Sequence, residues 1–137
     1  VSLRILICLI AAAASAGARA DIQEGNWEMT ITTSVEGMPG GMGPITQARC
    51  LSGEDARDPT RLVGAGAGCE FSNKRDTGSE ITFDVVCSGQ VPMNGSGAVR
   101  YTAQTVAGSL ELAANMGNQR IMTRSQLTGR RLGECKP

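Results

Sequence analysis

Four cysteines, Cys50, Cys69, Cys87 and Cys135, carry the most definite chemistry in this chain, because thiols either form disulfides or ligate metals. No C-x-x-C pair is present, so the spacing does not resemble a zinc site. The chain contains no histidine, which removes the commonest general base and the commonest transition-metal ligand together. Serine hydrolysis would then need a lysine base, yet Lys74 and Lys136 are the only lysines, and neither lies near a G-x-S-x-G elbow. Paired carboxylates for acid–base work occur at Glu54, Asp55 and Asp58, where helix capping and the helix dipole account for them adequately. The expectation is a protein that is not an enzyme, with no catalytic residue and no cofactor.

Methionine is the compositional oddity. Met38, Met42, Met93 and Met116 fall in or beside expected turns, and thioethers bind Cu(I) or scavenge oxidants by forming sulfoxide. Met38 and Met42 are the weak candidates for a metal site. A strict meander puts the 37–44 loop at one end of the sheet and the turns bearing Met93 and Met116 at the other, which argues against one four-thioether site. Adaptable apolar packing at the rim of a sheet is the alternative role.

The elements that position these residues are strands. In Cys69–Cys87, Cys69, Phe71, Ile81, Phe83, Val85 and Cys87 occupy odd positions and polar residues the even ones, with Asn73 and Val86 as exceptions. Two strands that both bury odd positions pair odd with odd, and partner numbers summing to 156 set Phe71 opposite Val85 and Cys69 opposite Cys87. That register needs an odd-length loop around Asp76–Ser79, whereas a two-residue Gly-Ser turn shifts it by one and demands a bulge. With Cys69 joined to Cys87, Cys50 is left for Cys135, and the chain-entropy account gives the two bonds about 3 and about 4.5 kcal/mol.

Before the hairpin, Asn26–Glu36 alternates cleanly as a first strand, and Ile45–Leu51 reads as a second that delivers Cys50. Ser52 and Asp55 have capping-box spacing, while Asp58 before Pro59 is a further helix start, so a short helical segment is expected near residues 53–63. Residues 64–68 are glycine-rich, but no strand precedes them and no Lys-Ser/Thr follows, so they read as a linker rather than a phosphate loop. After a turn at Gly89–Gly95, strands are expected over Gly97–Thr105, Ser109–Met116 and Arg120–Leu132, with Val106-Ala107-Gly108 and Asn115–Asn118 as turns. The expected fold is mainly β, an antiparallel meander forming a small barrel or a strongly curled sheet.

Residues 1–20 have the form of a signal peptide: Arg4, the apolar run Ile5–Ala14, then Ala18-Arg19-Ala20 as a cleavage site. The apolar run is too short for a bilayer span, so the mature chain is expected to begin at Asp21, to lie in the periplasm and to have no transmembrane segment. Cys8 falls within residues 1–20, and an oxidising compartment suits the four cysteines that remain in the mature chain. Residues 21–137 make a single disulfide-braced β-domain. Losing Arg4 and Arg19 from 13 basic residues against 13 acidic ones leaves a mature net charge of about −2. The arginines are scattered and the four aromatic residues form no stacking series, so no nucleic-acid partner is implied. The expected role is that of a binding or envelope-associated module, with a small apolar ligand or an envelope component as partner.

Several short motifs, in this order, carry a resemblance: Gly25–Met29, Gly37–Gly40, Gln47–Leu51, Gly68-Cys69, Cys87, Gly95–Gly97 and Gly129–Cys135. Together with the four cysteines they resemble the domain-of-unknown-function family 3617, small exported bacterial proteins. The resemblance implies export, disulfides and a single β-domain, and it brings no activity or catalytic residue.

Overall fold

The structure, a computed structural model, describes residues 21–63 and 68–137. The signal-peptide segment and residues 64–67 lie outside the described residues. Seven strands follow one another: β1 (Gly25–Val35), β2 (Met42–Leu51), β3 (Cys69–Asp76), β4 (Glu80–Cys87), β5 (Met93–Tyr101), β6 (Thr105–Met116) and β7 (Gln119–Gly133). They form one antiparallel sheet in the spatial order β2-β1-β7-β6-β5-β4-β3. The sheet is open: β2 and β3 are its two edges, and the barrel alternative is not realised.

Alternation decides which face is core. Trp27 and Met29 on β1, Ile81, Phe83, Val85 and Cys87 on β4, Val99 and Tyr101 on β5, Val106 and Leu110 on β6, and Leu127 on β7 are buried on the inner face. The outer face is wet, and its ion pairs sit at directly opposed register positions. Glu80 faces Arg100, Glu111 faces Arg124 and Glu28 faces Arg130, with the Arg Nε donating to the carboxylate over 2.5, 2.8 and 2.9 Å. Exposed pairs of this kind hold register more than they add stability.

Residues 52–63, which follow β2, cover the inner face. Ser52 caps α1 (Gly53–Arg57) in a reciprocal capping box with Asp55. A 3-10 turn, Pro59–Val63, follows and buries Pro59, Thr60, Leu62 and Val63 against β4, β5 and β6. Both helix starts expected from sequence are present, although each element is only five residues long.

This crossover corrects the strict meander. β2 ends at Leu51 beside Gly25, at what we call the lower end of the sheet, whereas β3 begins at Cys69 beside Cys87 and Met93, at the upper end. Residues 52–63 therefore run back along the inner face, and β2 and β3 point the same way. Every later turn is inverted relative to an uninterrupted meander. The 36–41 loop, the 88–92 loop and the Gly117-Asn118 turn consequently share the upper end, so Met93 and Met116 are not opposite Met38 and Met42.

Two turns also differ from the sequence reading. Val106, Ala107 and Gly108 belong to β6, and the preceding turn is Thr102–Gln104. It lacks Gly, Pro and Asn, and is closed instead by Thr102, whose hydroxyl accepts from the Gln104 and Thr105 amides at 3.2 and 3.0 Å. Gly95 and Gly97 lie within β5, where they supply space. A Cβ at position 97 would lie 2.6 Å from Phe83 Cζ and 2.7 Å from the Ser109 carbonyl oxygen. Gly97→Ala is therefore expected to cost about 1–3 kcal/mol by overpacking, read as a lowered urea midpoint with an unchanged slope.

Candidate functional site

The residues with chemical potential separate to the two ends of the sheet. At the lower end, a cleft of about 450 Å³ is lined by Ile22, Glu24, Ala56, Arg57, Asp76 and Tyr101, among others. The Tyr101 hydroxyl donates to Asp76 Oδ1 at 2.6 Å and the Gly78 amide donates to the same oxygen at 2.8 Å. These bonds hold Asp76 at the β3–β4 turn and Tyr101 at the end of β5. Among the described residues, no group of three or more Cys, Asp or Glu side chains is placed to hold a metal ion.

The three acidic candidates are occupied structurally. Asp55 accepts from the Ser52 backbone amide at 3.2 Å and lies 3.7 Å from both Arg49 and Arg61; Glu54 lies 3.5 Å from Arg61. Asp58 accepts from the Thr60 amide at 3.2 Å and the Thr60 hydroxyl at 2.5 Å, and pairs with Lys74 at 3.0 Å. Partial burial alone would raise the Asp58 pKa, but the Thr60 and Lys74 bonds and the Lys74 charge together bring it below 3.8. A depressed folded-state pKa means that Asp58 stabilises the fold above its unfolded value and that this contribution vanishes as pH falls through the lower folded value. Asp58→Ala is expected to cost about 1 kcal/mol at neutral pH, as loss of a capping acceptor does. The difference from the parent should shrink in urea titrations run below pH 3.8.

Both disulfides clamp strand ends. Cys69 joins Cys87 across the β3–β4 pair with a Cα separation of 3.9 Å, at the upper end. Cys50 joins Cys135 with a Cα separation of 5.5 Å, fastening the end of β2 to the chain beyond β7 at the lower end. Arg131 donates to the Glu24 carbonyl at 2.9 Å and pairs with Glu134 beside that clamp.

The upper end differs in kind. Met38, Met42, Val86, Val91 and Met116 are between 40% and 66% exposed; of the other large apolar side chains exposed among the described residues, Ile45 lies on β2 opposite Ile31, midway along β1, and Leu132 at the lower end. Met93 is half-buried and packs against the core. Of the two metal candidates, Met42 begins β2, pairing near Thr33, and Met38 follows β1, its amide bonded to the Val35 carbonyl at 3.1 Å. Charge follows the same division. No charged residue occurs in 37–48, 85–99 or 112–119, runs that include the three upper hairpin ends, and the charges that flank those ends are Glu36, Glu70 and Arg120. The lower turns carry Glu54, Asp55, Arg57, Asp58, Asp76, Glu80 and Arg100. Each run is visible in the sequence, but their convergence depends on the direction in which residues 52–63 cross the inner face.

A family model described as Protein of unknown function (DUF3617) matches residues 22–135. The chain belongs to the DUF3617 family. The match begins at buried Ile22 and ends at Cys135, so it spans the whole sheet and both disulfides of this DUF3617 member. No curated protein and no solved structure matches the chain.

Proposed function

We propose that this DUF3617 protein is an exported, periplasmic binding or envelope-associated module, not an enzyme, and that its contact surface is the upper end of the sheet. The observation that carries this reading is that five of the seven large apolar side chains exposed among the described residues, Met38, Met42, Val86, Val91 and Met116, lie toward the upper end, where the charged residues are few: Glu36, Glu70 and Arg120. Apolar exposure concentrated toward one end of the sheet fits an interaction site. The partner chemistry that fits is apolar: an envelope component or a small apolar ligand.

Two measurements test the proposal. Protein recovered by osmotic shock should begin at Asp21 and contain no free thiol; a retained leader in the cytoplasmic fraction would defeat the export part. Screening the purified protein against envelope lipids and small apolar ligands should raise the melting temperature for at least one of them. A flat result across the panel would count against binding.

One observation favours a second reading, a methionine-dependent copper or oxidant-scavenging role. The crossover brings the turns bearing Met38, Met42 and Met116 to the same end, where all three are exposed. Cu(I) titration should then saturate, and Met38→Ala and Met42→Ala should each weaken it. Absence of saturable binding would end this reading.

A further inference from the structure

We propose that the upper end of the sheet docks on a bilayer surface of zwitterionic lipid, inserting Met38, Val91 and Met116 shallowly as three separate apolar tips. This rests on the reading of that end as the contact surface and names its partner. The tips lie on the β1–β2 loop, the β4–β5 loop and the β6–β7 turn, and are 66%, 40% and 53% exposed. In the sheet order, four strand steps separate β1 from β4, which is roughly 20 Å at the usual strand spacing.

The spread of the tips distinguishes a bilayer from a protein partner. A protein hot spot needs a central, desolvated pocket into which an anchor packs. The upper end instead offers points carried by different hairpins, and a fluid interface accepts separated points without shape complementarity. Charge supports the same partner. Placing an ionised side chain among acyl chains is costly, and the three runs that form the tips have no charged residue. Their polar residues, Gln90, Asn115 and Asn118, are uncharged and exposed, suited to hydrogen bonding at headgroup depth. Glu36, which follows β1, and Arg120, the second residue of β7, are both exposed beside the tips, and their long side chains would keep their charges at headgroup depth. The absence of a basic cluster at this end argues against attachment by anionic headgroups.

Co-sedimentation with phosphatidylcholine vesicles tests this, using protein expressed from the full chain and purified in its oxidised form. The expected result is binding at both low and high salt, because shallow apolar insertion is not screened. Met38→Asp, Val91→Asp and Met116→Asp should each weaken partitioning roughly tenfold. Ser79→Asp, at the exposed β3–β4 turn of the lower end, should leave it unchanged. Melting temperatures of all four variants should match the parent, since every substituted side chain is exposed.

Three results would overturn the proposal: no sedimentation, sedimentation only with anionic vesicles and only at low salt, or equal loss with Ser79→Asp. Concentration-dependent dimers abolished by Met116→Asp, without vesicle binding, would reassign this end to a contact between copies. N-terminal sequencing of the same sample keeps the outcomes separate. A chain retained with its leader would defeat export while leaving the vesicle result standing.

Discussion

Replacing Cys50 and Cys135 together by alanine is expected to destabilise the protein by about 4.5 kcal/mol, against about 3 kcal/mol for the Cys69 and Cys87 pair. The larger effect follows from the loops closed: 85 residues separate the first pair and 18 the second. Restricting the longer loop removes more freedom from the unfolded chain. Burial narrows the difference, because Cys87 is only 4% exposed and its replacement also removes apolar packing, whereas Cys50 is exposed. Denaturant titrations of both double variants under non-oxidising handling give the comparison directly. If the Cys69/Cys87 variant were the weaker by more than its lost packing, the loop-closure account of this framework would be wrong. Small domains retain only about 5–15 kcal/mol in total, so the Cys50–Cys135 bond alone can decide whether the fold persists.

The second large effect is expected at Trp27. Its side chain is fully buried on β1, between the edge strand β2 and β7, and its Nε1 donates to the Gln23 carbonyl at 3.0 Å. Trp27→Ala should cost about 4 kcal/mol, combining lost transfer energy with a cavity that the paired strands cannot collapse. Trp27→Phe keeps most of the volume and should cost about 1–2 kcal/mol, chiefly by leaving the Gln23 carbonyl without that donor. Urea midpoints for both variants measure the two components. Equal losses would mean that the hydrogen bond, rather than volume, dominates at this position.

The hairpin shows what the sequence reveals and where it stops. Partner numbers sum to 156 from Cys69↔Cys87 through Ser72↔Asp84, and then shift by one at Arg75↔Thr82. Of the two alternatives raised by the sequence, the odd-length loop is not formed and the two-residue turn with its bulge is. Gly78 and Ser79 form a two-residue turn closed by the Thr77 amide on the Glu80 carbonyl at 2.9 Å, and a bulge at Asn73 and Lys74 absorbs the shift. Asn73, a polar residue at an odd position, takes φ 50° there, a conformation that asparagine tolerates better than most. Val86, the apolar exception, is 53% exposed and belongs to the upper-end cluster. The two exceptions to alternation are therefore a bulge and an exposed surface residue.

Strand direction was not readable in the same way. Alternation identifies a strand and the face it buries, but is identical for either direction. The 52–68 segment is long enough to turn back beside β2 or to cross the inner face, and its apolar residues, Leu62 and Val63, fit either path locally. Burial against β4, β5 and β6 selects the crossing. That choice assembles the candidate site, because it brings Met38, Val91 and Met116 to one end. The edges differ as well. β3 carries Glu70, Lys74, Arg75 and the bulge, devices that discourage further pairing, whereas β2 has no charge before Arg49.

Hydrogen exchange of the oxidised protein, with and without phosphatidylcholine vesicles, tests the upper-end contact most directly. Slower exchange should appear in residues 37–44, 88–92 and 115–119, while the turns at 77–79 and 102–104 remain unchanged. Protection confined to those lower turns, or identical exchange in the two samples, would contradict it.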